Sequence, residues 1–177
     1  MKSNLKRVVL IIFSIALLSI ITLNRAKAQS SVTAHATAEV IQALTATETA
    51  QLNFGRSSPE SSGGEVKLTP NGVRSSSGTV ALSGGIHNAA SFYITGQNNS
   101  AVSITLPSGP ALLTNAGSAK TMEVNNWDSF PAAGLGVGVL NNASLTVNVG
   151  ATLKVGNMVD NPVGIYAGTY AITFSYN

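Results

Sequence analysis

The sequence predicts an all-β protein, a sandwich of short strands closed by its C-terminal strand. Three observations carry that fold class. The last residues alternate large apolar side chains (Tyr170, Ile172, Phe174, Tyr176) with small or polar ones (Ala171, Thr173, Ser175). Because side chains reverse direction at each residue of a strand, the four bulky groups share one face and the chain ends inside a sheet. Elsewhere apolar residues recur at period two, in short segments about ten residues apart. Gly, Pro, Asn and Ser punctuate the intervals, and few windows have helical spacing without a Gly, a Pro or a β-branched run.

Taken in order, the chain opens with Lys2, Lys6 and Arg7, an apolar run from Val8 to Ile21, and small residues around Lys27 in Ala26-Lys27-Ala28. This is the pattern of a cleaved secretory signal over residues 1–28. The apolar run is short for a span of about 20 residues, and polar Asn24, Arg25 and Lys27 follow it. Residues 29–177 are then one mature domain, exported to the periplasm, the cell surface or the medium.

From Ser31 to Val40 the odd positions are polar (Ser31, Thr33, His35, Thr37, Glu39) and the even ones apolar (Val32, Ala34, Ala36, Ala38, Val40). This predicts a first strand whose inner face is made of small residues. Further strands are expected at Gln51–Phe54, Glu65–Thr69, Thr79–Ser83, Ser91–Thr95, Ala101–Leu106, Lys120–Val124, Ser144–Val149, Thr152–Val155 and Thr169–Tyr176. Turns are expected at 61–64, 70–72, 75–78, 96–100 and 108–110, with Asn71-Gly72 the clearest of them. Gly134-Leu-Gly-Val-Gly138 lacks the third-glycine spacing and the following lysine of a nucleotide loop. It fits a strand closely approached by another backbone.

Charge and composition narrow the function. Five of the ten basic residues leave with the signal and none of the seven acidic ones does, so the mature chain carries 5 − 7 = −2. The remaining cations are scattered, which argues against nucleic acid as a partner. There is no cysteine, hence no disulfide, thiol nucleophile or thiolate metal site. The two histidines, His35 and His87, have no carboxylate at a triad-like or ligand spacing, and no nucleophile motif is present. Asn125-Asn126-Trp127-Asp128 lacks the alternating acids of a calcium loop. The sequence therefore predicts a non-enzymatic protein and implies no cofactor or metal. Trp127, flanked by the amides of Asn125 and Asn126, is a candidate stacking surface for a glycan.

Leu52-Asn-Phe-Gly55, Val66-Lys-Leu-Thr-Pro-Asn-Gly-Val-Arg74, Ala90-Ser-Phe-Tyr-Ile-Thr-Gly96, Ser103-Ile-Thr-Leu-Pro107 and the closing strand resemble a bacterial secreted domain family of unknown function. That family is related more distantly to the spore coat protein U and pilin-like adhesin domains, and the resemblance implies an immunoglobulin-like β-sandwich. Fimbrial subunits of this kind end in an alternating strand with a penultimate aromatic residue, here Tyr176, and a glycine fourteen positions from the end, here Gly164. The resemblance implies a structural or adhesin-like surface subunit. Its C-terminal strand (Tyr170, Ile172, Phe174, Tyr176) borders a groove filled first by a periplasmic chaperone and then by the N-terminal strand of a neighbouring subunit. Val32, Ala34, Ala36, Ala38 and Val40 form the candidate donor row, used either between subunits or within one domain. The alanines of that row are small for the pockets a donor strand occupies. The alternative is a monomeric carbohydrate-binding module centred on Trp127.

Overall fold

A computed structural model describes residues 2–21 and 29–177; the cleavage site expected at Ala26-Lys27-Ala28 lies outside them. The chain divides into two units, residues 1–39 and 40–177. The first holds helix α1 (Lys2–Ile21), along which Val8 to Phe13 and Ile15 are exposed. No helix among the described residues is long and apolar enough to cross a membrane.

Residues 29–44 take up no helix or strand, which corrects the strand expected over Ser31–Val40. Val32 and Val40 are 88% and 95% exposed, and the alanines between them are exposed as well. The physical reason lies in the row itself. A strand needs a ladder partner and a buried face, and three methyl groups between two valines offer little area to bury.

The second unit is all-β, with two antiparallel sheets curled into a half-barrel. Its strands are β1 (Thr45–Ala50), β2 (Ser57–Leu68), β3 (Arg74–Leu82), β4 (Ala90–Thr95), β5 (Ala101–Thr105), β6 (Ala111–Asn115), β7 (Thr121–Phe130), β8 (Gly134–Val139), β9 (Ser144–Val155), β10 (Tyr166–Ala167) and β11 (Thr173–Tyr176). The larger sheet runs β1-β4-β9-β7-β6-β10, with β2 paired to β9 and β3 to β2; the smaller runs β11-β5-β8.

Several elements differ from expectation in informative ways. The two strands predicted on either side of Gly150 are one strand, β9, and Gly150 marks where its partner changes from β4 to β2. A Cβ there would strike the Leu68 carbonyl, so the glycine permits a close crossing rather than ending a strand. The serine-rich stretches expected as turns at 61–64 and 75–78 lie inside β2 and β3, whose irregular pairing around Gly63 and Gly78 absorbs them. The expected strand Gln51–Phe54 is displaced to Thr45–Ala50, leaving a single bridge between Asn53 and Asn88. By contrast, the Gly72 amide donates to the Thr69 carbonyl at 2.9 Å and Gly72 has φ of 78°, as the Asn71-Gly72 turn requires.

Two apolar clusters fill the interior. One gathers Phe54, Val66, Leu68, Val80, Val124, Ala151, Leu153 and Val155. The other gathers Ala90, Ile94, Val102, Ile104, Leu140, Val147 and Val149. Leu52 and Trp127 pack against both and bridge them.

Candidate functional site

The site follows from how the sheets are joined. The 96–100 turn carries the chain from β4 in the larger sheet to β5 in the smaller. Beyond these lie β1, paired only with β4, and β11, paired only with β5, among the described residues. Thr45 stands opposite Thr95 and Tyr176 opposite Val102, so β1 leaves this turn where β11 arrives, and a seam lies between the two edges. The Tyr176 hydroxyl fastens the turn end of that seam. It donates to the Gln42 carbonyl at 2.8 Å and accepts from the Gln97 amide at 2.6 Å.

Further along, the seam widens into a groove of about 1080 Å³. Glu48 and residues 51–59 line one side and residues 161–170 with Ile172 the other, over apolar side chains that include Phe92, Leu113, Met122 and Leu153. The second side is held by side-chain amides. Asn161, nearly fully buried, donates to the Thr121 carbonyl at 2.8 Å and accepts from the Gly156 amide. Asn157 Oδ1 accepts from the amides of Val159 and Asp160, and the Tyr166 hydroxyl donates to the Pro162 carbonyl. A loop so braced keeps Val163 and Ile165 on the rim at 92% and 86% exposure.

The residues singled out in the C-terminal segment meet here. Tyr170, Ile172, Phe174 and Tyr176 are half-buried against the second cluster, and Ala171, Thr173 and Ser175 between them are exposed. Only Thr173–Tyr176 is laddered, since Thr173 already faces Thr105, the last residue of β5. Phe174 lies 5.8 Å from Phe92 between ring centres. Gly164 lines the groove where a Cβ would collide with the side-chain amide of Asn115. No pairing involves Val32 to Val40 among the described residues.

Trp127 reaches the same region from β7. Its ring is 4.6 Å from that of Tyr170, and its Nε1–H donates to the Gly109 carbonyl at 3.1 Å. One face and the polar edge of the indole are thus engaged within the fold. Asn125 donates to Glu123 Oε1 at 2.8 Å, and Asn126 is exposed at a φ of 48° inside the bulge of β7. The Glu123 carboxyl is held below its ordinary range by the hydrogen bond and charge of Lys154, 2.8 Å away.

Two polar groups stand out. The Tyr170 hydroxyl is buried without a hydrogen-bond partner, and burial, with a smaller contribution from the charge of Glu48, pushes its pKa up to about 12. Glu48 faces Phe92 across the β1–β4 ladder, so its carboxylate lies on the inward side of β1. Sequence reasoning passed over Glu48 and the groove floor. The usable signal was Leu44, Ala46, Glu48 and Ala50, a period-two row with a carboxylate in its apolar phase.

The family model described as a domain of unknown function (DUF4402) matches residues 44–176. No curated protein and no solved structure matches the chain.

Proposed function

Because the chain belongs to the DUF4402 family, a domain of unknown function, we propose its role from the groove itself: a secreted, non-enzymatic structural or adhesin-like surface protein that assembles by β-strand addition. The observation that carries this reading is the open groove between β1 and the C-terminal segment. A strand laid there finds an edge on which to hydrogen-bond and an apolar floor on which to place alternate side chains. The half-buried row from Tyr170 to Tyr176 is what a missing neighbour would finish covering. In this reading the fold is an immunoglobulin-like sandwich of the pilin-like kind, one strand short. The exposed extension Ser31–Val40 is the donor side, offered to the groove of a related subunit.

Detergent electrophoresis of the protein from the cells that make it tests the reading. Unboiled, it is expected in a species well above the 18.1 kDa of the full chain, which collapses to one monomer band on boiling. A monomer band in both lanes overturns assembly by strand addition.

A further inference from the structure

Glu48 stands where an all-apolar occupant would leave it stranded. Ala46 precedes it on the inward face of β1, opposite Ile94, and Leu44, just before the strand, packs into the second cluster. Glu48 itself is exposed and lines the groove. A strand seated in the groove would cover this carboxylate. Covering a charge without a partner is costly, whereas a charge-assisted hydrogen bond in the same place is favourable. Of the groove-lining residues only Glu48 and Arg56 are charged, and Arg56 lies past residues 51–55, just before β2.

Resting on the strand-addition reading, we propose that the groove selects an extended apolar segment of a different protein, one that places a lysine or arginine opposite Glu48. The chain's own extension does not meet that requirement. With its apolar row turned inward it presents only Val32, Ala34, Ala36, Ala38 and Val40, with no cation, and its three alanines underfill a groove of about 1080 Å³. Assembly is then heterotypic: this chain accepts a strand from one protein and offers its own to another.

Peptide binding to the full chain, read by fluorescence anisotropy, tests this. The probes are an eleven-residue peptide of alternating Thr and Leu with a central inward lysine, its versions with leucine or glutamate at that position, and a peptide of residues 31–41. The lysine peptide is expected to bind about tenfold more tightly than the leucine peptide. Glu48→Gln should abolish that preference, and Glu48→Lys should transfer it to the glutamate peptide. Glu48 is exposed, so all three proteins should melt alike. Equal affinity for lysine and leucine peptides overturns the selectivity while leaving strand addition standing. Binding of the 31–41 peptide as tight as that of the lysine peptide overturns heterotypic assembly. Failure of every peptide to bind overturns both readings.

Discussion

A hydroxyl buried without a partner destabilises a fold, and Tyr170 carries one beside the groove. Tyr176, six residues further along the same face, shows the opposite use of the same group, since its hydroxyl both donates and accepts. The raised pKa of Tyr170 gives this contrast a pH signature. The folded state favours the neutral phenol, so the stabilisation is complete below the unfolded value of 10.0 and is lost as pH rises from there to about 12. Tyr170→Phe removes both the partnerless oxygen and the titration. The variant is expected to be at least as stable as the parent at pH 8 and to lose less stability between pH 10 and 12. Thermal melts of the pair across that range check it; parallel curves would show that Tyr170 does not titrate as its burial requires.

Among the elements, the braced loop before β10 depends on one missing side chain. Gly164 passes so close to Asn115 that a methyl group would displace the Asn115 side chain, whose Oδ1 also accepts from the Gly117 amide at 2.8 Å. Gly164→Ala is therefore expected to destabilise the domain by ~1–3 kcal/mol, as overpacking does. Urea unfolding measures this, and a midpoint equal to that of the parent would show that the loop yields without cost. The same kind of contact explains why glycine misleads as punctuation in this sequence. At Gly72 it makes a turn, whereas at Gly150 it lets β9 pass beneath the Leu68 carbonyl without a break.

At the scale of the whole molecule, the compact unit begins at Val40 and is fastened by the Tyr176 bond to Gln42. Residues 29–41 belong to no ladder. A chain lacking them is expected to unfold cooperatively with its midpoint close to that of the parent, while losing the ability to donate a strand. Calorimetry of the truncated protein decides this. Loss of a cooperative transition would mean that the extension completes its own domain.

The sequence by itself determined the all-β class, the turn at Asn71-Gly72, the strand at Gly134–Val139 and the shared face of Tyr170, Ile172, Phe174 and Tyr176. Each of these is a local property, a period or a dihedral preference that neighbours in the chain express without help. The tertiary structure alone decided that Ser31–Val40 stays unpaired, since alternation describes a strand's faces but cannot supply its partner. It alone also opened a groove between the Glu48-to-Pro59 stretch and residues 161–172, and set Glu48, Tyr170 and Trp127 around the same region. Those residues are 122 positions apart at the extremes, from Glu48 to Tyr170. What brings them together is the choice of sheet at the 96–100 turn, which is settled by how two apolar clusters pack and not by any pattern along the chain.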